Sequence, residues 1–142
     1  MVLKKLTLSS ALQGTPAYWQ NNLFVAATGD SLKSFPLTNG TLASASSSQS
    51  TAAFNAFGAS PVVSSNNTGG GTVWALDTSG APSAPAVLHA YDATDLTREL
   101  YNSAARAQDA AGPAVKLAVP TVGNGKVYVG TQNELSVYGL LP

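Results

Sequence analysis

The chain repeats itself, and repetition constrains its fold more than any local propensity, because a repeated unit must bury its apolar face against the next copy. Three stretches share one order of parts. The plainest is the last: Val119-Pro120-Thr121-Val122, then Gly123-Asn124-Gly125, then Lys126-Val127-Tyr128-Val129-Gly130-Thr131, then Gln132-Asn133, then Glu134-Leu135-Ser136-Val137-Tyr138-Gly139-Leu140. Proline opens a strand where no ladder donor is needed, and Asn-Gly supplies the positive φ of a tight hairpin. Val and Tyr alternating with small residues make a two-faced strand. The stretch therefore reads as a three-stranded meander.

The first copy has the same order. Thr15-Pro16-Ala17-Tyr18-Trp19 precedes a turn at Gln20-Asn21-Asn22, then Leu23 to Ala27, a turn at Thr28-Gly29-Asp30, and Leu32 to Leu37. Beyond Thr38-Asn39-Gly40, the weakly apolar Thr41-Leu42-Ala43-Ser44 is expected as a fourth, outermost strand, where weak hydrophobicity suits an edge. The middle copy opens at Ser60-Pro61-Val62-Val63, is expected to turn through the polar run from Ser64 to Gly71, and resumes as Thr72 to Asp77. An insertion from Thr78 to Pro85 separates this from Ala86 to Asp92 and Leu96 to Tyr101. Leu100 to Ala111 is alanine-rich without a sustained helical stripe and is expected as a loop holding at most one helical turn.

Pro16, Pro61 and Pro120 stand 45 and 59 residues apart, and removing the middle insertion brings the second interval towards the first. A period of this length with about four short strands per unit fits a propeller blade, whereas short strands alone would also suit a β-sandwich. The expected fold is all-β: a partial β-propeller of about three blades of four-stranded antiparallel sheets, a fragment of a larger ring. The division is a single partial domain over 1–142. Residues 1–14 supply a strand of a preceding blade, 15–58 one blade, 59–118 a second with loop insertions, and 119–142 a final incomplete blade.

Charge singles out no partner. Seven Lys and Arg balance seven Asp and Glu, which leaves neither a basic face for nucleic acid nor an acidic tail. Only 10% of residues are charged, and a surface this rich in Ser, Thr, Asn, Gly and Ala leans towards a periplasmic or extracellular protein. The absence of cysteine excludes disulfides and thiolate chemistry. Lys4 and Lys5 resemble the start of a signal peptide, but the apolar stretch after them is short and interrupted, so Leu6-Thr7-Leu8 is expected as an alternating strand. No run is long and apolar enough for a membrane-spanning helix.

Candidate chemistry is sparse. His89 is the sole histidine, which leaves no His-His metal pair, and its apolar neighbours place it inside a strand with a structural role. Asp92, Asp95 and Glu99 lie close in sequence but lack the alternate acids and central glycine of a calcium loop. Asp92, like Asp30 and Asp77, is expected to accept backbone N–H bonds in the turn that follows its strand. Gly69-Gly70-Gly71 and Gly123-Asn124-Gly125 lack the Lys-Ser/Thr ending of a phosphate loop and are expected as hairpin turns. Asn39-Gly40-Thr41 and Asn66-Asn67-Thr68 match the glycosylation triplet. Trp19, Trp74, Tyr18, Tyr91, Tyr101, Tyr128 and Tyr138 would form a carbohydrate platform if several shared an exposed face, but are expected to pack between sheets, Trp74 above all. No catalytic residue, metal ligand or cofactor is assigned.

The string Lys126 to Thr131, followed by Glu134 to Tyr138, resembles the repeat of pyrroloquinoline-quinone-type propellers, whose blades carry a Val-Tyr-Val-Gly-Thr strand and then a Leu-Tyr-Ala-Leu-Asp strand. Ala90-Tyr91-Asp92-Ala93-Thr94 is similar to the Ala-x-Asp-x-x-Thr-Gly stretch that precedes the docking tryptophan of that family. Here Asp95 replaces the glycine and Leu100-Tyr101 stands near the tryptophan's place. The resemblance spans Thr15 to Leu140 and implies the C-terminal blades of an exported bacterial quinoprotein-like propeller. It does not carry over the quinone, its calcium or a catalytic aspartate, because no acidic residue here matches those motifs, and the family's vicinal disulfide is impossible without cysteine. The expected role is a non-catalytic scaffold or interaction surface, completed by further blades of the same protein or by self-association into a ring. The alternatives are part of a quinone-dependent dehydrogenase whose active site lies upstream, and a carbohydrate-binding or adhesive module.

Overall fold

A computed structural model of the chain describes residues 1–67 and 69–139. These residues are all-β: twelve strands in three antiparallel sheets, none of them closed, with no α-helix among them. The first sheet contains β1 (Ala17–Trp19), β2 (Asn22–Ala26), β3 (Asp30–Thr38), β4 (Thr41–Leu42) and β5 (Ser48–Phe54). The second runs in the order β6 (Val62–Asn66), β7 (Gly69–Asp77), β8 (Val87–Asp92) and β9 (Asp95–Asn102). The third holds β10 (Thr121–Gly123), β11 (Lys126–Gly130) and β12 (Leu135–Tyr138).

Strand alternation builds two buried layers from one middle sheet. In β7, Val73 and Ala75 point one way and join Phe24, Ala26, Leu32 and Phe54 of the first sheet, with Trp19 packed against them. Leu76 points the other way and joins Leu88, Val127 and Val129, with Trp74, Tyr101 and Tyr138 alongside. Both faces of the second sheet are thus inside the protein, as period-two side chains require when a sheet is covered twice. The opening strands of the three meanders also adjoin in turn, β1 against β6 and β6 against β10.

Several expectations change. The fourth long strand of the first sheet is β5, whereas Thr41–Leu42 forms a two-residue hairpin partner at the end of β3. The left-handed Asn39 and Gly40, at φ 50° and 75°, reverse the chain there. β5 was obscured by its composition, since Ser-Gln-Ser-Thr-Ala-Ala shows little hydrophobic alternation although Ser50 and Phe54 are both buried. The polar run from Ser64 to Gly71 is mostly strand: β6 reaches Asn66 and β7 begins at Gly69. Gly69-Gly70-Gly71 opens β7 rather than forming the turn, and a side chain at Gly71 would stand 2.6 Å from the Trp19 ring. The segment from Leu100 continues as strand to Asn102 and then forms two 3-10 turns, Ser103–Ala105 and Ala107–Asp109. The hairpin at Asn124-Gly125 forms as expected, both residues having positive φ. Leu140 and Thr68 lie outside the described residues.

Leu6-Thr7-Leu8 forms no strand and joins no sheet. Its hydrogen bonds run elsewhere: Lys4 donates to Ser44, Ser9 to Asp30, Ser10 to the Thr28 carbonyl, and the Thr28 N–H donates to the Ala11 carbonyl. The register of β2 with β3 puts Val25 and Phe35 on the face turned away from the second sheet, yet they are only 3% and 5% exposed. The N-terminal segment is tied to the first sheet through the loops at residues 28–30 and at Ser44. Leu6 and Leu8 are half-buried between exposed residues, an alternation like that of a strand, although no strand pairs with them.

Candidate functional site

A groove of about 1190 Å³ lies between the second and third sheets. Its walls come from the ends of β6, β7 and β9, the 3-10 turns after β9, the β10–β11 hairpin and β12. Trp74 forms part of the floor, half-buried rather than enclosed, and its indole Nε1 donates to Ser64 Oγ at 2.8 Å. Tyr101 and Tyr138 meet edge to face at 6.1 Å between centroids, and the Tyr138 hydroxyl donates to the Asp109 carbonyl at 3.0 Å. Around these rings stand Asn66, Gln108, Arg106 and Lys126. Fixed aromatic rings beside amide and cationic side chains can hold a ligand by stacking and hydrogen bonding.

Burial, reinforced by the Asp109 carboxylate, pushes the Tyr101 hydroxyl up to about 12, and burial raises Tyr138 and Tyr91 as well. A folded-state value above the ordinary 10 means that each contributes stability which is complete below pH 10 and is lost as pH climbs through the folded value. Alkaline titration is therefore expected to unfold the protein between roughly pH 10 and 12, with a cooperative rise in tyrosinate absorbance coincident with loss of the β-sheet circular dichroism signal. Separate, non-cooperative ionisation of all the tyrosines at pH 10 would contradict this.

His89 belongs to the opposite layer and does not line the groove. Its Nδ1 lies 2.7 Å from Glu99 Oε1 and 3.3 Å from the Tyr91 hydroxyl, and its ring meets Phe54 edge-on. At 6% exposure it is a satisfied interior side chain. The aspartates behave as turn residues. Asp92 Oδ1 accepts from the Thr94 N–H and hydroxyl, Asp95 from those of Thr97, and Asp77 from the Ser79 N–H. The Thr94 bonds hold Asp92 below the ordinary carboxylate range, the Thr97 bonds do the same for Asp95, and Arg98 pairs with Asp92 at 2.7 Å. At Asp30, burial pushes upward but is outweighed by Lys33, Ser9 and the Ser31 N–H, so that carboxyl is also lowered. Among the described residues no three His, Asp or Glu side chains gather where a metal could sit. No helix among them is long and apolar enough to cross a membrane.

The aromatics divide as the strand faces dictate. Tyr91 is 1% exposed in the first layer with Trp19 beside it, Trp74, Tyr101 and Tyr138 sit at the second, and Tyr18 is 58% exposed. The groove therefore gathers three of the named aromatics, whereas its polar residues Arg106, Gln108 and Lys126 carry no motif that a linear reading could connect. Arg106 and Gln108 lie on the second repeat and Lys126 on the third, and they meet only through sheet stacking. Asn39 stands exposed on its turn. No protein-family model matches the sequence, and no curated protein matches it.

Proposed function

We propose that the chain is a segment of a β-propeller of the quinoprotein-like repeat type, exported by a bacterium, that serves as a non-catalytic scaffold or interaction surface. The stacking carries this reading: three consecutive meanders lie in sequence order, the middle one covered on both faces, with their opening strands side by side. Low charge supports export, and the hydrogen-bonded roles of His89 and the turn aspartates support a scaffold rather than proton-transfer chemistry. One feature favours a binding module as a second reading, namely the Trp74, Tyr101 and Tyr138 groove with its polar border.

Thermal unfolding and tryptophan fluorescence, measured with pyrroloquinoline quinone plus calcium and separately with soluble oligosaccharides, distinguish these readings. The scaffold reading expects an unchanged melting temperature and an unchanged Trp74 signal in every case. A rise that requires quinone and calcium together would replace it with the dehydrogenase reading. Saturable quenching by a sugar, abolished by Trp74→Ala, would replace it with the binding module.

A further inference from the structure

The third sheet has three strands where the second has four, so β12 pairs with β11 on one side and with nothing among the described residues on the other. Which backbone groups face outward follows from the ladder. The Thr131 N–H donates to the Glu134 carbonyl at 3.0 Å, which makes Thr131 and Glu134 a hydrogen-bonded pair. In an antiparallel ladder such pairs alternate with non-bonded ones. In the β11–β12 register Ser136 and Tyr138 therefore spend their backbone groups on β11, while Leu135 and Val137 direct theirs to the open edge. The side chains of Leu135 and Val137 are also 62% and 52% exposed, on the face away from the second sheet. An edge whose donors and acceptors meet no partner among the described residues, flanked by apolar side chains, is a template for another strand.

We propose that this strand is β12 of a second copy of the chain, paired antiparallel about a two-fold axis perpendicular to the sheet. Such an axis keeps inner faces with inner faces, and outward-directed backbone groups must meet their like. The register that uses β12 alone sets Leu135 opposite Val137 of the second copy and Val137 opposite its Leu135, with Ser136 facing Ser136 on the axis. Both apolar pairs then exchange backbone hydrogen bonds, about four in all. The same register brings Glu134 of each copy opposite Tyr138 of the other, on the inner face that lines the groove. Arg106 borders that groove without a salt-bridge partner among the described residues, whereas Lys126 lies on the outer face beside Gly139. Glu134, whose carboxylate accepts the Ser136 hydroxyl of its own chain, brings an acid towards Arg106 at that position, and this complementarity selects a copy of this chain.

This inference goes beyond the scaffold reading and does not depend on whether the sheets belong to a ring. Its test exploits the absence of cysteine from the chain. Ser136→Cys is expected to form a disulfide dimer on mild oxidation, because directly opposed non-bonded residues of antiparallel strands bring their Cβ atoms within disulfide reach. Val137→Cys, displaced from the axis, is expected to cross-link far less. Light scattering of the unmodified chain is expected to show the mass doubling with concentration. Val137→Pro removes an N–H that makes no bond to β11, so circular dichroism is expected to stay β-rich while self-association weakens by at least about tenfold. A chain that remains monomeric at high micromolar concentration would overturn the proposal, as would cross-linking through Val137→Cys in preference to Ser136→Cys.

Discussion

Phe54→Ala is expected to destabilise the protein by about 3–5 kcal/mol, measured as a lowered denaturant midpoint with an unchanged slope. The ring is fully buried, belongs to the layer with Leu32, Val73 and Tyr91, and meets His89 edge-on at 5.5 Å. Removing it takes away its transfer free energy and leaves a void between two sheets whose backbones are held by ladder hydrogen bonds and cannot collapse freely. Small domains are stable by only about 5–15 kcal/mol, so a large share of the total would disappear. Ala53, the residue before it, points to the exposed face of the same strand, and Ala53→Ser is expected to change stability by less than about 0.5 kcal/mol. An equally small effect at Phe54 would mean that β5 does not close the first layer.

Gly58→Ala is the second large effect, about 2–5 kcal/mol of destabilisation. Gly58 has φ +67°, and a Cβ built on it would lie 2.4 Å from the Ala26 carbonyl oxygen. That oxygen is part of the β2 backbone and also accepts from the Ala59 N–H, so it cannot yield without loosening the join between the loop after β5 and the first sheet. Gly29 separates the two contributions. Its φ of +70° is equally left-handed but nothing lies within 4 Å of its Cβ position, so Gly29→Ala carries the dihedral cost alone, about 1–2 kcal/mol. Paired melts of the two variants measure the steric part as a difference, and equal losses would rule it out.

The sheets were legible where local chemistry and tertiary packing agree. The last meander shows this best, because Asn124-Gly125 fixes its turn and Val127 and Val129 alternate into the core. β5 was hidden because its inward positions are a serine and a phenylalanine separated by small residues. Ser50 is buried through hydrogen bonding to the Leu32 N–H and the Ala52 carbonyl, a partnership no hydrophobic pattern announces. The N-terminal segment deceived in the opposite sense, since Leu6 and Leu8 alternate like a strand although no ladder receives them. Of the groove, only Trp74, Tyr101 and Tyr138 could be named beforehand. Trp74 was expected to be enclosed, yet it borders open space because the Ser64 hydroxyl holds its indole nitrogen beside the β6–β7 hairpin. Arg106 and Lys126 become neighbours of the same space only through the contact between sheets.

The two-sided burial of the second sheet has a consequence for how the chain tolerates change. Along β7, Val73 and Ala75 serve one layer while Trp74 and Leu76 serve the other. Deleting a single residue at the start of this strand would exchange the two sets, forcing an indole where a valine fits and an aspartate into the space of a leucine. Both layers would fail together, so a saturation scan should find β7 the segment where one lost codon is least survivable.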